Sequence, residues 1–287
     1  MIRPLLRFLA RRFVAGETAA SAVDAAKRMN AAGIKAVIDF LGEDVRSEQM
    51  AAAAANEYIT LLDLIHSFRV DAHVSVKLSQ MGLLVSRESC FENVARIVAA
   101  ASKHRNFVWF DMEGSDLTQK TIETFEKVRT VYPNVGLCLQ SSLVRTGGDL
   151  DRLMRFPLNV RLCKGAYKEP PQIAYATKRA VDGNYRILVQ KLLEHVKDGV
   201  YPAFATHDGF MIDYITAIAR EQKVELSQFE FEMLYGIRSH LLQTLARRGF
   251  QTRVYIPYGR SWFPYFVRRL RERKENLFFV LKNIFRR

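Results

Sequence analysis

Residues 107–140 read FVWFDMEGSDLTQKTIETFEKVRTVYPNVGLCLQ, and this stretch decides the fold. Its two ends, Phe107–Asp111 and Val135–Gln140, are short runs of aromatic and branched apolar residues that read as strands. Between them, Thr118–Tyr132 carries apolar side chains every three or four residues, the spacing of one helix face. Strand, helix and strand make one crossover unit, which lays its two strands parallel.

The same unit recurs on either side. Further strand candidates are Ile34–Phe40, Val74–Lys77, Leu158–Cys163, Tyr201–Thr206, Gln228–Leu234 and Thr252–Tyr255, which brings the total to eight. Helical spacing fills the intervals at Ser89–His104, Gln172–Lys197, Phe210–Gln222 and Ile237–Arg248. Eight units in 287 residues, with no Pro- or Ser-rich linker, fit an α/β fold of the closed (β/α)8 type better than an open doubly wound sheet. The expected organisation is a single domain over 1–287, with an N-terminal helical segment at 1–32 and the barrel and a last helix at 33–281.

Composition narrows the partners. The formal charge of +13 comes from 43 Lys and Arg against 30 Asp and Glu, so an anionic partner has to be weighed. Much of the excess sits at the ends, in Arg3, Arg7, Arg11 and Arg12, then from Arg268 to Lys274 and from Lys282 to Arg287. No apolar run reaches the roughly 18 residues of a membrane span, and Arg7 interrupts what a secretion signal would need as its apolar core. Met1–Phe13 therefore reads as a basic amphipathic helix. Cys90, Cys138 and Cys163 form no CxxC pair and imply a reducing, cytoplasmic setting and no metal cluster.

Active sites of such barrels lie where the strands end, and unusual residues gather there. The strands lead in turn to Glu43, Lys77, Asp111, Gln140, then Arg161, Lys164 and Gly165, then Thr206, His207 and Asp208, then Leu234, Tyr235 and Gly236, and last Tyr255. Charged groups beside parallel strands are costly unless paired or given a ligand, so a ring of them implies a pocket. Lys77 has three readings: a Schiff-base nucleophile, a carboxylate-binding cation, or an ion-pair partner of Asp111. Asp111, Glu113 and Asp116 form a short acidic run, a weak signal for metal. Arg161, Lys164 and Gly165 suit a phosphate or pyrophosphate, and with neither GxGxxG nor GxxxxGK[ST] present, barrel loops would have to grip the cofactor. Flavin is the natural candidate.

A helix follows strand eight, with Ser261 as N-cap and Pro264 in its first turn. Tyr265, Arg268, Arg269 and Glu272 fall three, four and seven residues apart, so one face carries a ring, two guanidiniums and a carboxylate. On an arbitrary basic helix this would be a solvated face; after the eighth strand it reads as a clamp for a small carboxylate.

The ordered set of Lys77, Asp111, Gln140, the run Arg161 to Tyr167, Thr206 with His207, and the helix from Tyr265 to Glu272 resembles proline dehydrogenase in its monofunctional bacterial form, from about Gly33 to Leu281. The resemblance implies a distorted barrel with non-covalent FAD that oxidises L-proline to Δ1-pyrroline-5-carboxylate and passes electrons to a membrane quinone. It implies that Lys77, Arg268 and Arg269 bind the proline carboxylate, that Leu234, Tyr255 and Tyr265 pack around the ring, and that Glu272 lies beside the flavin. By the same resemblance Asp111, Gln140, Arg161, Lys164, Gly165, Ala166, Tyr167, Thr206 and His207 contact FAD or line its pocket, and Glu43 pairs with Arg268 to gate it.

Two other readings compete. A Schiff-base lyase or aldolase using Lys77 would need no flavin, and a non-enzymatic basic protein would coat a membrane or nucleic acid. The cofactor-sized cluster around Arg161 and His207 opposes the first, and the gathering of polar residues at one end of the strands opposes the second, nucleic acid above all. The segment around Leu277 reads first as a core-packing helix; with a quinone as acceptor, it and Met1–Phe13 are expected instead to assist peripheral contact with an anionic membrane, at the inner face of the cell membrane.

Overall fold

The computed structural model describes residues 10–272, without the side chains of residues 270–272. Eight parallel strands close into a barrel in sequence order: β1 (Lys35–Phe40), β2 (Ala72–Val76), β3 (Val108–Phe110), β4 (Val135–Gln140), β5 (Leu158–Cys163), β6 (Val200–Ala205), β7 (Glu230–Leu234) and β8 (Gln251–Tyr258). Closure is made by β8 against β1, with Lys35 opposite Arg253 and Phe40 opposite Tyr258. Every expected strand is present, β4 and β5 with the expected bounds and the others shifted at one or both ends.

Helix α1 (Ala19–Asn30) precedes the barrel, and α2 (Glu48–Ser67), α3 (Arg87–Lys103), α4 (Ser115–Arg129), α5 (Thr146–Leu153), α6 (Lys178–Glu194), α7 (Gly209–Glu221), α8 (Ser239–Arg247) and α9 (Trp262–Glu272) follow the strands one by one. Side-chain oxygens of Thr18, Ser47, Ser86, Thr177 and Asp208 accept backbone N–H groups at the starts of α1, α2, α3, α6 and α7. Such caps satisfy donors that a helix start leaves without partners. They also explain one correction: α6 begins at Lys178 and not at Gln172, because Pro170 and Pro171 lead into a turn and Thr177 supplies the cap.

Alternation along the strands sorts their side chains into two sets. Ile38, Val74, Phe110, Leu137, Val160 and Ile256 join one continuous apolar core with the helices. The other set points into the barrel, where Val37, Trp109 and Ala203 form a small plug with Phe107 and Tyr255. Gly136 on β4 leaves room for it, since a Cβ there would run into the Trp109 indole. An added methyl in so tight a site costs roughly 1–3 kcal/mol.

A second, smaller core lies above the barrel rim. Ala10, Phe13 and Val14 pack with Leu41, Ile237, Tyr265 and Phe266, and the N–H groups of Ala15 and Gly259 donate to Pro257 O and Gly16 O, each at 2.9 Å. The N-terminal segment thus pins α9 onto the rim. Phe13, expected on a lipid-facing helix, is buried here, and Met1 to Leu9 lie outside the described residues, as does the segment around Leu277.

Candidate functional site

At the C-terminal ends of the strands lies a cavity of about 740 Å³. Glu43, Lys77, Asp111, Arg161, Lys164, Gly165, Ala166, Tyr167, Thr206, His207, Leu234, Tyr255, Tyr265, Arg268 and Arg269 all line it, so the fold brings nearly every expected site residue to one place. Gln140 is buried just beside it, with its Nε2 donating to Glu113 O at 2.8 Å. The side chain of Glu272 lies outside the described ones.

Inward-facing charges form one chain down the barrel. Lys77 Nζ lies 2.8 Å from Asp39 Oδ1 and 3.6 Å from Asp111 Oδ2. Asp111 also accepts from Ser75 Oγ at 2.7 Å, Tyr255 Oη at 2.6 Å and Arg161 Nη1 at 2.8 Å. Arg161 Nε donates to Glu232 at 2.5 Å, its guanidinium 4.6 Å from the centre of the Trp109 ring. Below it, Arg253 Nε donates to Glu230 at 2.7 Å. The chain holds four carboxylates and three cations, all essentially out of water. Removing one partner of such a pair costs about 3–5 kcal/mol, because the other is left charged and alone.

Ionisation follows from that chain. Burial alone would lower the Lys77 pKa, but Asp39 and Asp111 outweigh it and hold it above its usual value, so the side chain stays an ammonium. Burial pushes Asp111 up, yet Lys77 and Arg161 bring it below the ordinary carboxylate range. For Asp39 burial wins and the carboxyl is raised. Glu232, buried and beside Glu230, is pushed up to about 7. Burial drives the Tyr255 phenol well above its usual value, which keeps it a hydrogen-bond donor to Asp111.

The two adjacent arginines of α9 have different work. Arg268 makes a two-pronged pair with Glu43, Nη1 to Oε2 at 2.8 Å and Nη2 to Oε1 at 2.5 Å, joining α9 to the loop after β1 at the cavity mouth. Arg269 is buried, its guanidinium 5.0 Å from the centre of the Tyr265 ring. On the opposite wall Lys164 reaches Asp182 at 2.6 Å and Asp208 at 2.8 Å. His207 Nε2 accepts the Leu234 N–H at 2.9 Å, which leaves the ring proton of the neutral form on Nδ1. Gly165 has φ +106°, a conformation that excludes other residues without strain, and a Cβ there would meet Ser142 Oγ.

A family model described as proline dehydrogenase matches residues 22–282. The chain belongs to the proline dehydrogenase family. It is 37% identical over 278 residues to proline dehydrogenase 2 of Bacillus subtilis (strain 168), covering 97% of this chain and 91% of that one. Proline dehydrogenase of Deinococcus radiodurans is 38% identical, with 96% and 90% covered. Among solved structures, proline utilization A (PutA) from Bdellovibrio bacteriovorus, inactivated by N-propargylglycine, superposes with a TM-score of 0.86 at 25% identity, over 92% of this chain and 32% of that longer one. The barrel is therefore that of an enzyme of the proline dehydrogenase family.

For this family member the structure adds residues that strand-end reading missed. Asp39, Ser75 and Glu232 all belong to the buried chain, and Asp39 and Glu232 line the cavity. Strict alternation would have found Asp39 from Val37 and Glu232 from Glu230. The acidic run after β3 divides: Asp111 enters the chain, while Glu113 accepts from Ser79 N at 3.0 Å and from its hydroxyl. Arg161, expected to suit a pyrophosphate, spends its donors on Asp111, Ser75 and Glu232, which leaves Lys164 as the basic group of that strip nearer the open cavity.

Proposed function

We propose that this cavity holds L-proline and a non-covalent FAD together and oxidises proline to Δ1-pyrroline-5-carboxylate, with electrons passing on to a membrane quinone. The observation that carries the reading is the convergence of Lys77, Arg268 and Arg269 on one cavity whose far wall is built from Lys164, Gly165, Thr206 and His207. Membership of the family supports the substrate.

The residues present fit a flavin nucleotide. Gly165 keeps backbone free of a Cβ where a ligand can approach, Lys164 offers a cation, Thr206 and His207 offer polar groups, and Met112, Met233 and Leu234 offer apolar walls in a cavity of ordinary cofactor size. Gln140, Arg161, Ala166, Tyr167, Asp111 and Glu272 complete the set that would hold it. When bound, the flavin supplies the acceptor for the hydride leaving C5 of proline.

The chain's own part is positioning. Lys77 and Arg269 present cations to the substrate carboxylate, with Arg268 beside them, and Tyr255, Tyr265 and Leu234 shape the space for its ring. Fixing reactants at near-attack distance can supply on the order of 7 kcal/mol. The Glu43–Arg268 pair spans the mouth and closes the cavity over its occupant. Schiff-base chemistry at Lys77 is disfavoured, since it needs a neutral amine and two carboxylates within 3.6 Å keep this one protonated.

Among the described residues no helix is long and apolar enough to cross a membrane, so contact with a quinone calls for peripheral docking at the inner face of the cell membrane. The test is direct. The purified protein should be yellow, and L-proline added without oxygen should bleach its flavin band; a colourless protein that FAD cannot reconstitute defeats the reading. Docking is tested with anionic vesicles, where equal binding by a chain lacking both terminal segments would defeat that part.

A further inference from the structure

Two thiols that this chemistry does not use meet in the cavity wall. Cys138 on β4 and Cys163 on β5 both line the cavity, with their Sγ atoms 3.7 Å apart. The third cysteine, Cys90, sits in α3 with its thiol directed to Leu78 O and does not line the cavity.

The strand register decides what such a pair can do. Cys138 stands opposite Arg161 and Cys163 stands opposite Gln140, so the two cysteines are diagonal neighbours, two residues out of step. Strands about 4.8 Å apart, rising about 3.3 Å per residue, separate their Cα atoms by roughly 8 Å. That exceeds the limit of about 7 Å for a disulfide without backbone movement. The sulfurs nonetheless lean together to the spacing of two ligands on one atom: two thiolates about 2.3 Å from a tetrahedral ion lie about 3.8 Å apart.

The surroundings ease ionisation of one of the two. The Cys138 hydrogen bond lowers the Cys163 pKa, and the Gly165 N–H and Arg161 add to it against burial. Cys138, the donor, is correspondingly raised. Among the described residues no third His, Cys, Asp or Glu joins them in a metal-holding group. A hard ion such as Mg²⁺ has no oxygen cage here, whereas a soft centre satisfied by sulfur does not need one.

We propose that Cys138 and Cys163 form a two-thiol chelating site for a soft, sulfur-seeking centre, either a trivalent arsenical or a cadmium ion. With phenylarsine oxide, two As–S bonds form, the As–O bond breaks, and the oxygen leaves as water with the two thiol protons, without any oxidation. With Cd²⁺, two Cd–S bonds form and two protons are released. Either occupant lies in the cavity beside Arg161, so proline turnover should fall with occupancy, a consequence that rests on the cavity being the active site.

The test uses the full-length holoenzyme and phenylarsine oxide. Mass spectrometry should show a single adduct with the loss of two titratable thiols, released by dithiothreitol and not by a monothiol. Cys138→Ser and Cys163→Ser should each abolish the monothiol-resistant adduct, and Cys90→Ser should retain it. In a second arm, Cd²⁺ should produce a sulfur-to-metal charge-transfer band that both cavity variants lose. An adduct that survives monothiol in Cys163→Ser, no adduct in the wild type, or a Cys138–Cys163 disulfide formed readily with diamide would overturn the site. Chelation with full turnover would instead overturn the placement of the active site.

Discussion

The substitution Glu232→Gln should remove a pH-dependent loss of stability that the buried charge chain builds into the barrel. Glu230 and Glu232 share the Arg253 guanidinium, whose Nε lies 2.7 Å from the one and 3.9 Å from the other, and two buried carboxylates that close favour keeping one proton between them. Glu232 is raised from 4.5 to about 7 by burial, with Glu230 adding to the rise against Arg161. A carboxyl raised in the folded state contributes stability that is whole below its unfolded pKa and is lost as pH rises through the folded one. At 1.36 kcal/mol per pH unit, this group alone removes about 3 kcal/mol across that window, most of it between about pH 5 and pH 7. An amide in place of the Glu232 carboxyl mimics the protonated acid, still accepting from Arg161, and balances the chain at three carboxylates and three cations. Carboxyls lowered by their partners, such as Glu43 and Asp208, lose stability only at more acid pH. His73, buried and lowered well below its usual value, contributes with the opposite sign, adding stability as pH rises, but it does so in both proteins and cancels in their difference.

The assay is denaturant unfolding at about pH 5, 6.5 and 8, followed by the fluorescence of Trp109 inside the barrel, which takes the linkage directly from midpoints and slopes. The variant should gain on the wild type by about 2–3 kcal/mol between the lowest and highest of these. Curves that stay parallel across the range would refute the reasoning, because the excess charge would then be held without a proton.

Three further outcomes follow from the cavity. Arg269→Met should raise the KM for proline by about ten- to a hundredfold, the loss of a charge-assisted bond worth roughly 1.5–3 kcal/mol, and leave FAD affinity nearly unchanged in a flavin titration. Glu43→Gln should cost under about 1 kcal/mol in thermal unfolding, since its pair with Arg268 is partly exposed, while the KM rises several-fold as α9 loses its tie across the mouth. Gly165→Ala should lower the flavin content of the purified protein and its stability by roughly 1–2 kcal/mol, read from the visible spectrum and a melting curve, because φ +106° strains any side chain.

Much of the fold was legible because barrel strands and helices announce themselves locally. Val135–Gln140 is apolar up to its last residue, Leu158–Cys163 keeps Leu158, Val160 and Leu162 apolar at every second position, both are flanked by turn residues, and their bounds came out as expected. The start of α6 was misread because apolar spacing was followed back to Gln172, beyond the cap that Thr177 supplies. The cavity residues were legible where a charge closes a strand, as at Lys77 and His207. Asp39, Glu230, Glu232 and Arg253 were not, because a charge inside a strand looks like an interruption until the opposite charge is placed beside it.

What the sequence by itself determined is the local grammar: the alternation that sends one set of side chains inward, the caps that start the helices, and the spacing that puts Tyr265, Arg268 and Arg269 on one turn of α9. Tertiary structure alone decided which charges meet. Arg161 and Glu232 are 71 residues apart, Glu43 and Arg268 are 225 apart, and their pairing depends on barrel closure and register, which no local pattern encodes. Closure removes those groups from water, and in the low dielectric that follows, each must find its partner or keep its proton. That is why Lys77 is an ammonium and why Glu232 titrates near neutrality.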